Sequence, residues 1–135
     1  MKARIRPEYP ETAVLLFMNN EKAAHIASAL EKLNIRTLTP PESEYGETVG
    51  CLAQISGFEK KNISFPEDAE SDELIIFAGI TPKRLDKILD TLRSENLTVR
   101  FKVMLTEYNR SMTVPELTKH LFSEEAEIRR MNKEK

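Results

Sequence analysis

The sequence lacks most of the features that mark secreted, disulfide-bonded or membrane-spanning proteins. Its one cysteine, Cys51, excludes an internal disulfide framework and is compatible with a reducing compartment. No apolar run approaches the ~20 residues that a transmembrane helix needs, and the first residues lead into Pro7 rather than into the apolar core of a signal peptide. We therefore expect a cytoplasmic protein with no membrane partner.

Neither sign of charge is in excess. Twenty Lys and Arg residues stand against 22 Asp and Glu residues, which gives a formal net charge of −2. Dedicated nucleic-acid-binding proteins usually carry a strong basic excess. The basic pairs Lys60-Lys61 and Arg129-Arg130 also lack interleaved aromatic residues. We expect no nucleic-acid partner.

The common catalytic motifs are also missing. The four glycines are isolated, so there is no phosphate-binding loop, and no Cys or His pair has the spacing of metal ligands. No serine stands in a nucleophile elbow. We expect no metal and no cofactor. The missing motifs favour a protein that is not an enzyme.

Hydrophobic periodicity divides the chain into alternating strands and helices. The continuous apolar runs 13–18 and 73–78 predict two strands buried on both faces. Each run is followed by a stripe of apolar residues three or four apart, which predicts a helix; Asn20 is a candidate cap for the first. Shorter alternating strands are predicted at 35–39 and 98–105.

The order of elements in the first half recurs in the second. Ala13–Phe17 corresponds to Glu73–Phe77, and a capped helix closes each half, with Thr48–Leu52 corresponding to Thr113–Leu117. Chance agreement of generic strand and helix patterns is the alternative explanation. We interpret the match as an internal duplication of a strand-helix-strand-helix unit.

The duplication organises the whole chain. At 135 residues the chain is long enough for one domain, and we expect residues 1–135 to form it. Within it we place pseudo-repeats at 12–57 and 72–123. A flexible, acidic loop, 58–72, separates them, and a charged tail, 124–135, follows the second.

The burial pattern predicts an α/β fold around a four-stranded sheet. The two apolar strands belong at its centre, and the two alternating strands belong at its edges. Strand order 2-1-3-4 satisfies this arrangement with right-handed crossovers, and so does the ferredoxin-like order 4-1-3-2. The pattern does not choose between them.

The second half also contains a set of residues found together in a known family. They are Leu74-Ile75-Ile76-Phe77, Gly79, Leu85, Leu89, Leu92, Lys102, Leu105-Thr106, Asn109, Thr113 and Leu117. With them, residues from about 73 to 125 resemble a small bacterial family, domain of unknown function family 3783. Glu107 and Tyr108 replace a proline-threonine pair of its motif, and Met112 replaces a tryptophan. The resemblance implies a bacterial protein and supports the fold, but the family has no assigned activity.

Polar side chains follow the predicted strands at the ends where ligands of parallel sheets gather. They predict a site for a small anionic or polar ligand, built from Lys102, Thr106, Asn109, Thr113, Gly79, Thr81, Asn19 and Asn20. The competing interpretation is structural, because turns and helix caps require the same residue types. Lys102 would then only protect an edge strand from aggregation.

Cys51 is a candidate reactive thiol. It lies in the first turn of the predicted short helix, where the helix dipole favours a thiolate. No histidine partner is close in sequence, so a small residue that fits beneath the 58–72 loop is the alternative.

Two functional classes are compatible with these patterns. The preferred one is a non-enzymatic binding or regulatory module for an unknown protein partner, with exposed edge strands available for pairing and with homodimerisation as one form of it. The other is a small sensor or enzyme that uses the strand ends near Lys102. The sequence names no substrate and no pathway.

Overall fold

The computed structural model describes residues 10–133 and contains a four-stranded sheet with helices on both faces. The strands are β1 (Thr12–Leu16), β2 (Arg36–Leu38), β3 (Leu74–Ala78) and β4 (Phe101–Met104). The helices are α1 (Asn20–Glu31), α2 (Val49–Leu52), α3 (Pro82–Ser94) and α4 (Val114–Lys133), with a 3₁₀ turn at Glu42–Glu44. The strand order is β2-β1-β3-β4, so the α/β prediction is confirmed in its 2-1-3-4 form and the ferredoxin-like alternative is wrong.

The two halves of the chain meet at the centre of the sheet through an antiparallel pair of strands. β1 runs parallel to β2 and β3 runs parallel to β4, whereas β1 and β3 are antiparallel. Thr12 lies opposite Ala78 and Leu16 lies opposite Leu74. The carboxyl end of β1 therefore lies beside the amino end of β3, at the opposite end of the strands from the carboxyl ends of β3 and β4.

Alternation along the central strands produces two apolar layers, one on each face. α1 and α3 pack on one layer, which includes Ala13, Leu15, Ile75, Phe77, Ile26, Leu30, Ile88 and Leu92. α2 and α4 pack on the other, which includes Val14, Leu16, Leu74, Ile76, Val49, Leu52, Val114 and Leu117. All five residues of β1 and all five of β3 are buried. The predicted run 13–18 extends two residues too far, because Phe17 and Met18 follow β1 and are half-buried.

Side-chain caps start the long helices. Asn19, rather than the predicted Asn20, caps α1 by accepting the Lys22 N–H at 2.7 Å; Asn20 is the first helical residue. Thr81 caps α3, and Pro82 occupies the first helical position, where its missing N–H costs no hydrogen bond. The capping box predicted at Thr113 is present at the start of α4, since Thr113 N–H donates to Glu116 Oε1 at 2.9 Å.

Equivalent positions in the two halves share unusual backbone angles. Asn34 and Asn96 follow α1 and α3 with φ of 62° and 58°. Phe17 and Gly79 follow β1 and β3 with φ of 62° and 71°. Phe17 therefore corresponds to Gly79, a shift of two residues from the predicted match with Phe77. Matching Phe17 with Gly79 also matches Val14 with Ile76, and these two residues lie opposite each other in the β1–β3 pair.

The helix starts of the two halves also face each other. Thr48 and Thr113 form an isolated antiparallel bridge, and Val114 N–H donates to the Glu47 carbonyl at 3.0 Å. The arrangement is approximately two-fold, and the common origin of the halves stays a prediction. None of the helices between residues 10 and 133 combines the length and hydrophobicity that crossing a membrane requires.

Candidate functional site

The antiparallel centre of the sheet divides the predicted ligand-binding residues into two groups. Asn19 and Asn20 follow β1 at one edge, whereas Gly79 and Thr81 follow β3 at the other. Thr106 and Asn109 follow β4, which runs parallel to β3, and therefore belong with the second group, whereas Thr113 forms a bridge with Thr48 of the first half. One small ligand cannot contact both groups, so the asparagines are separated from the rest.

Thr106 and Asn109 hold a tight turn after β4. Asn109 Oδ1 accepts the Thr106 N–H at 2.8 Å, and Thr106 Oγ1 accepts the Asn109 N–H at 3.0 Å. The Asn109 Nδ2 group donates to the Met104 carbonyl at 3.0 Å. Alternation along β4 directs that carbonyl away from β3, so the amide covers part of the open sheet edge. Asn109 is 8% exposed.

Lys102 is directed away from this turn. Its Nζ donates to the Val99 carbonyl at 2.9 Å, which lies before the start of β4. The ammonium group is thus held at the amino end of the strand, while Thr106 and Asn109 lie beyond its carboxyl end. The structure does not bring Lys102 together with the residues predicted to share its ligand.

Thr81 and Thr113 act as helix caps, as Asn19 does. Thr81 Oγ1 accepts the Arg84 N–H at 3.2 Å, and Thr113 Oγ1 accepts the Glu116 N–H at 3.3 Å. These contacts supply acceptors for N–H groups that a helix start leaves unpaired. The structural roles account for the residue types, and a ligand role for them stays a prediction.

Cys51 is partly buried beside two carboxylates. Burial raises the pKa of its thiol, and the negative charges of Glu47 and Glu44 raise it further, while Lys60 opposes them. Its N–H donates to the capping oxygen of Thr48 at 3.1 Å. The helix is only four residues long. The surroundings therefore disfavour a thiolate, and reactivity of Cys51 stays a prediction.

Glu47 is a buried carboxylate that no sequence motif singles out. It is 1% exposed and accepts the N–H groups of Lys61 at 2.8 Å and Ile63 at 3.1 Å. Burial opposes its ionisation, but those N–H groups, that of Asn62 and the charge of Lys60 together hold its pKa below the usual value. Because its partners lie 14 and 16 residues away, no local pattern identifies it.

Two glycines allow the 58–72 segment to approach the first half closely. A Cβ on Gly46 would lie 2.3 Å from the Ile63 carbonyl oxygen and 2.5 Å from that of Ser64. A Cβ on Gly50 would lie 2.7 Å from the Phe58 ring. The beginning of the predicted flexible loop is therefore packed against the domain and bound by Glu47.

An aromatic cluster surrounds the carboxyl end of β1. The Phe17 ring makes edge contacts with Tyr45 at 4.7 Å and with Phe65 at 5.0 Å between ring centroids. Phe17 N–H also donates to the Tyr45 hydroxyl oxygen at 3.4 Å. A left-handed φ is unfavourable for a bulky residue, so packing must hold Phe17 in this conformation.

Arg100 connects three parts of the second half. Its guanidinium donates to Asp72 at 2.9 Å and to Glu125, and it lies over the rings of Phe101 and Phe122. These ion pairs hold the pKa values of both carboxylates below their usual range. The contacts place the middle of α4 beside the start of β4.

The second half also resembles a known family by direct comparison. Residues 73–128 match the family described as Domain of unknown function (DUF3783). The matched segment contains β3, α3, β4 and α4 as far as Ile128, and the comparison attaches no activity to it. The resemblance inferred for the second half is thereby confirmed. No curated protein and no solved structure matches the chain.

α4 continues past the matched segment as an exposed helix. Its buried residues, Val114, Leu117 and Thr118, all lie near its start. Ile128 and Met131 are 58% and 56% exposed. Ile128 follows Leu121 by seven residues and Met131 follows Ile128 by three, so both continue the stripe that faces the core near the start of the helix.

Proposed function

We propose that this protein is a non-enzymatic interaction module and that it pairs with a second copy of itself. The observation that carries the proposal is the exposure of Ile128 and Met131 on the distal half of α4, residues 124–133. Two apolar side chains on one face of a projecting helix form a surface that packing against another helix would bury.

The charges of the distal half favour a second copy running antiparallel. Three acidic residues come first and three basic residues follow: Glu124, Glu125, Glu127, Arg129, Arg130 and Lys133. An antiparallel copy places the acidic part of each helix beside the basic part of the other. A parallel copy would place like charges together. The same patch then serves both subunits, as two-fold symmetry requires.

The sheet edges are less suitable for pairing than the sequence suggests. β2 has three residues and β4 has four. On β4, Asn109 already occupies the Met104 carbonyl that a partner strand would use. These features support the helix rather than an edge strand as the docking surface.

The positions of the polar side chains support a binding role over catalysis. Between residues 10 and 133 no group of three or more His, Cys, Asp and Glu side chains is arranged to hold a metal ion. Of the predicted ligand residues, Asn19, Thr81 and Thr113 cap helices and Thr106 and Asn109 hold a turn. Bacterial origin and a cytoplasmic location remain proposals that rest on the family resemblance and on composition.

Sedimentation velocity over concentrations from about 1 µM to about 1 mM tests the proposal, because small interfaces dissociate in this range. We expect the wild type to show a monomer–dimer equilibrium and the double variant Ile128→Ser, Met131→Ser to remain monomeric. Ile63→Ser is the matched control, since Ile63 is also exposed, at 42%, but lies outside α4. It should associate like the wild type.

Charge reversal tests the direction of pairing. The double variant Glu124→Lys, Glu127→Lys has a basic distal half. The double variant Arg130→Glu, Lys133→Glu has an acidic one. Each double variant should be monomeric alone, and an equimolar mixture should form heterodimers. A monomeric wild type at all concentrations, or a dimer unaffected by the serine substitutions, would overturn the proposal.

A further inference from the structure

Arg36 is a cation with no acidic partner among residues 10–133. Six other arginines in that part of the chain each lie within 4.0 Å of a carboxylate oxygen: Arg84, Arg93, Arg100, Arg110, Arg129 and Arg130. Arg36 instead donates to two neutral oxygens, those of Thr12 and Gln54. Its charge is therefore fixed in place by groups that do not neutralise it.

The guanidinium of Arg36 is oriented by a chain of hydrogen bonds. Its Nε and Nη2 donate to Thr12 Oγ1 at 3.3 and 3.2 Å, and its Nη1 donates to Gln54 Oε1 at 3.1 Å. Thr12 is fully buried, and its own hydroxyl donates to the Pro10 carbonyl at 2.8 Å. A guanidinium carries five N–H groups, so two remain for another acceptor, one on each terminal nitrogen.

Arg36 lines a cleft together with a second arginine, Arg110. The cleft has a volume of about 460 Å³, and Arg36, Gln54, Ser56 and Arg110 contribute its polar lining. The Arg110 guanidinium lies 5.9 Å from the centroid of the Phe58 ring and 3.7 Å from Glu107. The lining thus combines two arginines, a glutamine and a serine around a space larger than a single ion requires.

We propose that this cleft binds an oxyanion, the phosphate or carboxylate group of a small molecule. Oriented guanidinium forks bind both groups through paired hydrogen bonds, and the charge of Arg36 supplies the attraction. Gln54 fixes the fork, and Ser56 offers a further hydrogen bond to the ligand. The site is separate from α4, so it does not depend on the proposed dimer. It also differs from the strand-end residues that the sequence predicted for an anionic ligand.

Nuclear magnetic resonance of the arginine Nε–Hε groups tests the site directly. The protein is titrated with sodium phosphate and, separately, with sodium acetate, while sodium chloride holds the ionic strength constant. We expect the Arg36 Hε resonance to shift with a saturable dependence on one of the two anions. Tighter binding of phosphate or of acetate assigns the chemical group.

Arg36→Lys is the test variant because it keeps the charge but removes the fork. In the wild type and in each variant, the affinity is measured from the backbone amide resonances of Gln54 and Ser56, which line the cleft. We expect the affinity of Arg36→Lys for the anion to fall at least tenfold, while Arg93→Lys, a matched control in α3, leaves the affinity unchanged. A shift at Arg36 that does not saturate with either anion overturns the proposal from the wild type alone. Equal affinity in Arg36→Lys overturns it as well.

Discussion

Phe17 holds the left-handed backbone conformation that Gly79 holds at the equivalent position of the second half, with φ angles of 62° and 71°. Glycine adopts this conformation without a steric penalty, whereas a side chain with a Cβ does not. The Phe17 ring packs between Tyr45 and Phe65, and these are contacts that a glycine cannot make. The strain is therefore held by aromatic packing.

Substitutions at Phe17 separate strain from packing. Phe17→Ala and Phe17→Gly both remove the ring, but only glycine relieves the backbone. We expect Phe17→Gly to be the more stable of the two by about 1 kcal/mol, measured by urea unfolding. Phe101, inside β4, is the control, because there alanine should be more stable than glycine. The same order at both positions would contradict the argument.

Glu47→Gln should destabilise the fold by about 1–3 kcal/mol at neutral pH, because it removes the charge that the N–H groups of residues 61–63 stabilise. The pKa of Glu47 is lowered in the folded state. Its stabilising contribution is therefore present above the unfolded pKa, ordinarily about 4.3, and is lost as the pH falls through the lower folded value.

Urea unfolding across the acid range measures this dependence. The wild type should lose stability over that interval, and Glu47→Gln should lose less. Glu59→Gln, an exposed neighbour in the same segment, serves as the control and should follow the wild type. Parallel acid profiles for Glu47→Gln and the wild type would rule out the role assigned to this carboxylate.

Gly46→Ala should displace the 58–72 segment. The added methyl group would lie 2.3 Å from the Ile63 carbonyl oxygen, so that backbone must move, at a cost of roughly 1–3 kcal/mol. Hydrogen exchange should then speed up at the amides of Lys61 and Ile63. Gly57→Ala is the comparison, because the space around that glycine is open and only its φ of 96° opposes a side chain. Unchanged exchange in Gly46→Ala would disprove the close approach.

Cys51 should alkylate more slowly near neutral pH than an unfolded cysteine does. Burial and the carboxylates of Glu47 and Glu44 raise its pKa, which lowers the thiolate fraction. Glu44→Gln removes one of those charges and should increase the rate of reaction with iodoacetamide, while the exposed Glu59→Gln should not. A rate above that of the unfolded cysteine would restore the reactive-thiol interpretation.

The sequence predicts the parts of this fold that depend on local chemistry. The apolar runs identify β1 and β3, and the residues Thr48, Thr81 and Thr113 mark true helix starts. Strand direction is not a local property. Nothing near 13–18 or 73–78 indicates that the two central strands are antiparallel, and this one relationship separates Asn19 from Thr81.

The contacts that sequence patterns do not reveal are distant along the chain or depend on a side-chain conformation. Glu47 stands in a polar segment and looks exposed until the loop 14–16 residues later closes over it. Arg36 looks like an ordinary edge-strand residue, because its partners are 18 and 24 residues away. Lys102 has the predicted position in β4, but its flexible side chain turns back to Val99.

The pairing of β1 with β3 covers one side of the segment that matches the family. Residues 73–128 by themselves would leave one side of β3 without a partner, and all five residues of that strand are apolar. Such an open apolar edge favours aggregation. In this chain β1 fills that side of β3, with Val14 opposite Ile76. The first half of the chain therefore supplies the strand that covers the open side of β3.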